Sequence, residues 1–308
     1  MPYCKEFVTN TTIYYNYFVE DSEFILTNKF ILNAYDVGTS NAVNRGVIEG
    51  CGFGLLKSIN LVVNGEFFQD AVDKILSSHP DIDCGIQLNI TSGKSLCTDV
   101  LTLADDKGRF NNSFLKIFIN SCNPKNENFL SEVEREFRRQ IETAMSKTKI
   151  THISSTDNIH AIPKIFDIVC RLANEYGIKY VKSCYEKLYI VPDIYRHLKP
   201  DYYKNILKVL LFNVLSLFND QLIYKYNLKT NDYYIGGIYE GMCDTLAISY
   251  GISALKYNNI TVETGIKPCR YDEGTIDNYF DEFLVTKNQK LKNKIEGIGF
   301  EITNYVEN

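Results

Sequence analysis

Short apolar runs alternate along the chain with longer stretches in which apolar residues recur every three or four positions. The short runs have the length and composition of buried strands, and the longer stretches have the spacing of amphipathic helices. This alternation favours an α/β architecture. The predicted strands are Phe30–Asn33, Leu55–Val63, Ile82–Leu88, Lys149–Ile153, Ile178–Val181, Asp232–Ile238 and Asn259–Glu263.

Two helices between these strands have recognisable ends. Ser131 and Glu134 have the spacing of a capping box, which predicts a helix over Glu132–Ser146. Pro163 suits the first turn of a second helix, and Gly177 is expected to end it. The apolar stripe predicted for the first helix consists of Val133, Phe137, Ile141 and Met145.

Two further stretches depart from the simple alternation. Tyr203–Phe218 is almost wholly apolar on one side and is predicted to form a buried packing helix. Ser92–Asn128 is polar and irregular, which is typical of a long excursion that carries an active-site loop or lid in barrel enzymes. Residues 1–22 are interpreted as an N-terminal appendage, and residues 23–308 are predicted to form a single domain.

Composition and charge narrow the classes of function. The 308 residues, 45% of them hydrophobic, can bury a barrel-sized core. The net charge of -5 gives no global field for nucleic acid, and no window approaches the ~18 consecutive apolar residues of a membrane span. The N-terminus lacks the basic start and apolar stretch of a signal peptide. The nine cysteines are odd in number and never spaced as CxxC, which predicts reduced thiols in a cytoplasmic protein.

Several segments between Phe30 and Tyr305 carry a resemblance to a known family. The first is Asn33-Ala34-Tyr35-Asp36, which ends an apolar run and is followed by Val37-Gly38. In chain order the segments resemble the YdjC/ChbG family of carbohydrate deacetylases. The resemblance implies a distorted (β/α) barrel that removes acetyl groups from N-acetylated sugars such as chitooligosaccharides with a divalent metal. The other segments are residues 44–48, 58–64, 85–94, 152–163 and 262–269.

The resemblance assigns three catalytic positions. Asp36 falls on a metal-binding Asp, and Tyr35 falls on the neighbouring Asp that serves as the base. Lys267 falls on the His that protonates the leaving group. A tyrosine with a reference pKa near ~10 is a poor base at neutral pH, and a lysine could act as the acid only with a strongly depressed pKa.

The resemblance also assigns metal-ligand positions, and most of them are changed. Gln87 falls on a His ligand, and an amide oxygen is a weak ligand for zinc-like ions. Where the family has an Asp and three alternating His, only the last His remains in this chain. Asp36 and His160 are therefore the remaining candidates for metal binding. The residues at the four alternating positions are Ser154, Thr156, Asn158 and His160.

Each surviving residue also has an alternative structural role. Asp36 could cap a helix or stabilise a turn, and Tyr35 could fill a vacated pocket. His160 could be a hydrogen-bonded residue ahead of the helix at Pro163. A different site for Mg or Mn, built from Asp36, Asp157 and His160, is a further alternative.

Cysteine chemistry is a second alternative. Cys84 precedes Gly85, and Cys269 follows Pro268, so either thiol could border the mouth of the barrel. A nucleophilic cysteine needs an adjacent base, and the matching segments offer no histidine beside either one. Buried, inert thiols are the favoured interpretation.

The number of changed positions predicts a pseudoenzyme, in which the deacetylase-like barrel serves as a binding protein. Catalytic residues act together, so the loss of one is not compensated by the loss of another. Its partner could be a protein, a ribonucleoprotein or a saccharide, and no cofactor is expected. The alternative is an active hydrolase with a remodelled Mg or Zn site. A third hypothesis is a scaffold that docks through residues 1–22, and a homodimer is expected by analogy with the family.

Overall fold

The structure is a computed structural model that describes residues 28–192, 194–256, 258–271 and 279–307. The predicted appendage, residues 1–22, lies outside these residues. Eight strands in the described part form one curled, parallel sheet. They are β1 Asn28–Val37, β2 Leu56–Leu61, β3 Asp83–Leu88, β4 His152–Ser155, β5 Tyr180–Val181, β6 Tyr233–Ile235, β7 Thr261–Ile266 and β8 Phe300–Ile302.

The strand order is β5-β4-β3-β2-β1-β7-β6, and β8 pairs with the first residues of β1. Helices surround the sheet, so the molecule is a parallel half-barrel and the predicted α/β barrel architecture is confirmed. Each predicted strand overlaps an observed one, whereas β8 was not predicted. The helices of the described residues are α1 Asn41–Cys51, α2 Phe68–Ser78, α3 Phe114–Cys122, α4 Glu127–Met145, α5 Pro163–Tyr176, α6 Pro200–Lys225, α7 Thr245–Ser253, α8 Tyr279–Thr286 and α9 Gln289–Gly297.

The capping box predicted for the helix over Glu132–Ser146 is wrong. Helix α4 already begins at Glu127, so Ser131 lies inside the helix, and its hydroxyl donates to the Asn128 carbonyl at 2.8 Å. The spacing of Ser131 and Glu134 matches a capping box, but it does not show whether the preceding turn is already helical. In the predicted apolar stripe Met145 is exposed, and the buried members are Val133, Phe137 and Ile141.

The prediction for α5 is confirmed at both ends. Pro163 occupies the first helical position, where its missing N–H costs nothing. Gly177 follows the last turn with φ of 71°, a left-handed conformation that glycine adopts without strain. The helix therefore starts directly after the loop that connects it to β4, and that loop contributes to the site described below.

The polar stretch Ser92–Asn128 is tied to helix α4. The Glu136 carboxylate accepts the backbone N–H groups of Leu96 and Cys97, at distances of 3.0–3.1 Å. Two further charge-assisted hydrogen bonds join Glu132 to the backbone N–H and hydroxyl of Thr102. The excursion is thus an anchored segment that contains α3.

The prediction that Tyr203–Phe218 is a buried helix is wrong. Only 28% of the most apolar window of α6 is buried, because the half-barrel covers a single side of the helix. With a mean hydropathy of 1.5, α6 is, among the described helices, the one long and apolar enough to cross a membrane by length and composition, a test that core helices also pass. Its inward side carries Tyr202, Asn205, Val209, Phe212, Leu215, Ser216 and Asn219.

Candidate functional site

A polar cleft opens where the carboxyl ends of β1, β3, β4 and β7 meet. Strands of a parallel sheet end at the same edge, which is where sites form in barrels and in open α/β sheets. The empty space of the cleft, including its open mouth, is about 780 Å³. No residue of Ser92–Asn128 lines it, so the predicted lid does not contribute. Among the sequence candidates, the lining includes Tyr35, Asp36, Gln87, Thr156, Asp157, Asn158 and Lys267.

Asp36 is held by its neighbours on every side. Its backbone N–H donates to the Gln87 side-chain oxygen at 2.8 Å, and the Gln87 amide nitrogen donates to Asp36 Oδ1 at 2.6 Å. The same nitrogen lies 3.2 Å from Thr156 Oγ1. The second carboxylate oxygen of Asp36 forms an ion pair with Lys267 Nζ at 2.9 Å. Both carboxylate oxygens are therefore bound by protein donors.

The position of the family's acid is occupied by an ammonium group. The Asp36 carboxylate raises the pKa of Lys267 well above its ordinary value, because it stabilises the charged form. A general acid at neutral pH would need the opposite shift. Lys267 therefore acts as a counter-ion of Asp36 in this structure.

Tyr35 is buried beneath the cleft. Its hydroxyl donates to Glu263 Oε1 at 2.6 Å, and burial raises its pKa well above the ordinary value. Gly265 on β7 leaves the room for this ring: a Cβ there would lie 2.5 Å from a Tyr35 ring carbon. A tyrosine that donates its proton to a carboxylate at neutral pH is not a base.

Glu263 is the centre of a buried polar network that sequence reasoning missed. Besides Tyr35, its carboxylate accepts from the Tyr305 hydroxyl at 2.5 Å and from the Asn33 amide at 3.2 Å. The Asn33 amide also contacts His152 Nε2 at 3.1 Å, and the His152 ring stacks on Tyr305. Burial lowers the pKa of His152, so the imidazole is neutral. A glutamate inside a family segment was the available signal, but its partners come from distant elements.

His160 does not share a site with Asp36. Its Nδ1 lies 2.6 Å from the Ser155 hydroxyl, and its Nε2 lies 3.1 Å from the Lys182 carbonyl. A carbonyl only accepts, so Nε2 carries the proton. Burial lowers the pKa of His160 to about 3. Both ring nitrogens are engaged by neighbouring residues and His160 does not line the cleft, which matches the structural alternative considered for this residue.

The described cysteines are free thiols. Burial raises the pKa of Cys84 to about 12. Cys184 lines the cleft 3.8 Å from His160 Nε2, a pairing that the sequence did not reveal. The proton on that nitrogen prevents it from acting as a base, and burial raises the pKa of Cys184 to about 11.

The residues at the family's metal positions do not fit a divalent cation. The oxygens of Asp36 and Gln87 already accept protein donors, and the Asn158 side-chain oxygen accepts from Lys182 Nζ at 3.0 Å. The ammonium groups of Lys182 and Lys267 line the same space and would repel a metal. In the part of the chain that the structure describes, no three His, Cys, Asp or Glu side chains converge as a metal site would require.

Further charged residues line the cleft that the sequence did not single out. Lys208 pairs with Glu240 at 2.7 Å, and burial raises the pKa values of Glu186 and Glu282 to about 8. Lys182 directly follows the predicted strand Ile178–Val181. A strand-end position was therefore the signal that could have identified it.

The half-barrel and its polar cleft define an α/β protein with the architecture of the YdjC-type deacetylases. A solved structure from Enterococcus faecalis V583, described as a cellobiose-phosphate cleavage protein, matches 91% of this chain and 98% of that chain with a TM-score of 0.71. The two sequences are 21% identical, so this likeness shows the fold. The family model described as YdjC-like protein matches residues 29–291, and the chain belongs to this family.

Curated relatives cover a smaller part of the chain. A carbohydrate deacetylase from Brevibacillus brevis is 38% identical over 151 residues, which are 49% of this chain and 57% of the relative. Another from Clostridium beijerinckii is 32% identical over 164 residues, 52% of this chain and 63% of the relative. The matched part thus spans somewhat more than half the length of these relatives.

Proposed function

We propose that this YdjC-like protein does not catalyse metal-dependent deacetylation. It acts instead by binding a small polar ligand, a saccharide, in its cleft. The observation that carries the proposal is the state of Asp36. One carboxylate oxygen is bound by Lys267 and the other by Gln87, so the residue at the family's metal position is neutralised by the protein itself. Tyr35 at the base position holds its proton, for the reasons given above.

The cleft supports ligand binding by its lining. Tyr35, Tyr234 and Tyr279 border it, and amide, hydroxyl and charged groups surround them. Aromatic faces with converging hydrogen-bonding groups suit a sugar ring. A cytoplasmic location is part of the proposal and is supported by the free thiols of the described cysteines.

The first test measures metal binding and acetate release together. We expect titration calorimetry with Zn²⁺ or Mn²⁺ to give no stoichiometric binding, and N-acetylated chitooligosaccharides to release no acetate. A variant carrying Gln87→His, Thr156→His and Lys267→Met should gain Zn²⁺ binding, because Gln87 contacts Asp36, Thr156 contacts Gln87, and the competing ammonium is removed. It should still release no acetate, because Tyr35 remains.

The alternative of an active hydrolase predicts different results from the same experiment. Stoichiometric metal in the native protein, lost in Asp36→Ala, together with acetate release, would overturn the proposal. Asp157→Ala is the matched control, because this exposed carboxylate at the cleft has no role in the ion pair with Lys267.

A further inference from the structure

A second pocket lies beside the edge strands of the half-barrel. β5 and β6 are the two ends of the strand order, and the chain passes from one to the other through α6 and residues 226–232. The Val181 N–H donates to the Lys229 carbonyl at 3.0 Å, so the segment after α6 runs along β5. The Asn231 side chain accepts from the Ser183 N–H at 2.8 Å and donates to the Ser183 carbonyl at 3.0 Å. The pocket between α6 and this segment therefore has a fixed wall.

Several hydrogen-bonding atoms in the pocket have no partner among the described residues. Ser216 and Asp220 lie four residues apart and share one side of α6, and Asn219 adjoins them. Asn219 is 4% exposed, and its amide donates to the Ala161 carbonyl at 2.9 Å, which leaves its Oδ1 without a donor. Thr230 Oγ1 is buried and unpartnered as well. Buried polar atoms are nearly always hydrogen-bonded in folded proteins, so these open acceptors indicate a bound donor.

Asp220 gives this wall a negative charge. Partial burial raises the pKa of its carboxyl, and no neighbouring cation opposes the shift. Lys225, the next cation along α6, is paired with Asp167 at 3.5 Å. Lys182 borders the pocket, but its ammonium donates to Asn158, which lines the cleft. A cationic ligand would therefore find a carboxylate that no described lysine or arginine occupies.

The pocket opens outward into a groove with apolar and aromatic walls. Leu217 and Ile223 of α6 line one side of it, and Ile260 lies at the start of β7. The rings of Tyr185 and Tyr233 also line the groove, with their centroids 5.7 Å apart. Apolar walls accommodate an alkyl stem, and aromatic faces attract a cation. The groove and the pocket together suit an apolar chain that ends in a positive charge.

We propose that this pocket binds a primary alkylammonium group, which donates to the Asp220 carboxylate and to the open acceptors of Asn219 and Thr230. An ammonium carries three donors and no acceptor, as an acceptor-rich wall requires. A metal ion fits less well, because hard cations take six or more oxygen ligands and no three acidic, His or Cys side chains of the described residues converge. These residues do not line the cleft, so the inference stands apart from the proposed function.

Matched ligands separate charge from shape. Titration with cadaverine and with the pentanediol of the same length, followed by NMR, should show the diamine binding at least about tenfold tighter, as a charge-assisted hydrogen bond predicts. The shifted resonances should belong to residues 216–223 and 230–233. Added salt should weaken the diamine and leave the diol unchanged.

A third ligand distinguishes the two sources of an alkylammonium group. Nα-acetyllysine methylamide presents a lysine side chain as another protein would, and cadaverine represents a free polyamine. Tighter binding of the lysine derivative assigns the site to a protein lysine. Tighter binding of cadaverine assigns it to a polyamine.

Variants locate the effect on the pocket wall. Asp220→Asn keeps the size of the side chain and should reduce the affinity for cadaverine to that for the diol, whereas Thr230→Val should cause a smaller loss. Asp201→Asn, at an exposed aspartate in the first turn of α6, is the matched control and should retain the preference. Asp220 reaches solvent, so its variant should fold, which circular dichroism checks.

Three results would overturn the inference. They are equal affinity for cadaverine and the diol, an unchanged preference in Asp220→Asn, and stoichiometric Mg²⁺ binding that Asp220→Asn abolishes. If Asp220→Asn does not fold, the resonances shifted in the native protein and the salt dependence decide. The metal and acetate results at the cleft do not depend on any of these outcomes.

Discussion

Replacing Glu263 with alanine is expected to lower the free energy of unfolding by about 4 kcal/mol, because three buried donors lose their acceptor and each costs about 1–3 kcal/mol when left unpaired. The donors are the hydroxyls of Tyr35 and Tyr305 and the amide of Asn33. Glu263 is fully buried, so water cannot replace the carboxylate without a rearrangement of the core. Urea or thermal unfolding followed by circular dichroism measures the loss.

Deleting one hydroxyl at a time measures how much each tyrosine contributes to this loss of stability. Tyr35→Phe and Tyr305→Phe should each cost about 1–2 kcal/mol, since each removes one hydrogen bond to a charged acceptor. Glu301→Ala, an exposed glutamate on β8, is the matched control and should change stability by less than about 0.5 kcal/mol. Loss of less than 1 kcal/mol in Glu263→Ala would show that the network does not hold Tyr35 in place.

Stability is also expected to fall as the pH rises from 7 to 8, by about 1 kcal/mol per pH unit for each of two buried carboxyls. Desolvation raises the pKa values of Glu186 and Glu282 to about 8, although backbone N–H groups oppose the shift. The folded protein therefore keeps protons that the unfolded chain releases. This contribution is fully present below the unfolded pKa near ~4.3 and is lost as the pH passes the folded pKa.

His152 and His160 do not disturb this range. Both have lowered pKa values and are neutral when folded, so they affect stability only below the unfolded histidine pKa of ~6.5. Chemical unfolding at pH 7.0, 7.5 and 8.0 should show the decline, and it should flatten in the double variant Glu186→Gln with Glu282→Gln. Glu240→Gln is the control, because the pKa of Glu240 is lowered. A flat profile in the native protein would contradict the assignment.

The site residues show how far sequence reasoning reached. The resemblance placed Tyr35, Asp36, Gln87 and Lys267 at positions that the fold does bring to one cleft. It could not show that Lys267 forms an ion pair with Asp36, because residues 231 positions apart meet only through the pairing of β1 with β7. The raised pKa of Lys267 depends on this ion pair and therefore could not be predicted from the sequence.

The errors in the fold have a common cause. The capping box at Ser131 and the buried helix over Tyr203–Phe218 were read from local spacing alone. Local spacing records which side of a helix is apolar, but it does not record which side another element covers. The exposed apolar side of α6 is therefore visible only in the assembled half-barrel.

The sequence by itself determined the alternation of strands and helices and the order of the segments that resemble the family, and that resemblance predicted changes at the acid, base and ligand positions. Those properties depend only on residue identity and short-range periodicity. The tertiary structure alone decided that Lys267 neutralises Asp36 and that Glu263 holds Tyr35. Hydrogen bonds, burial and charge compensation act between distant residues, and they exist only once the strands have come together.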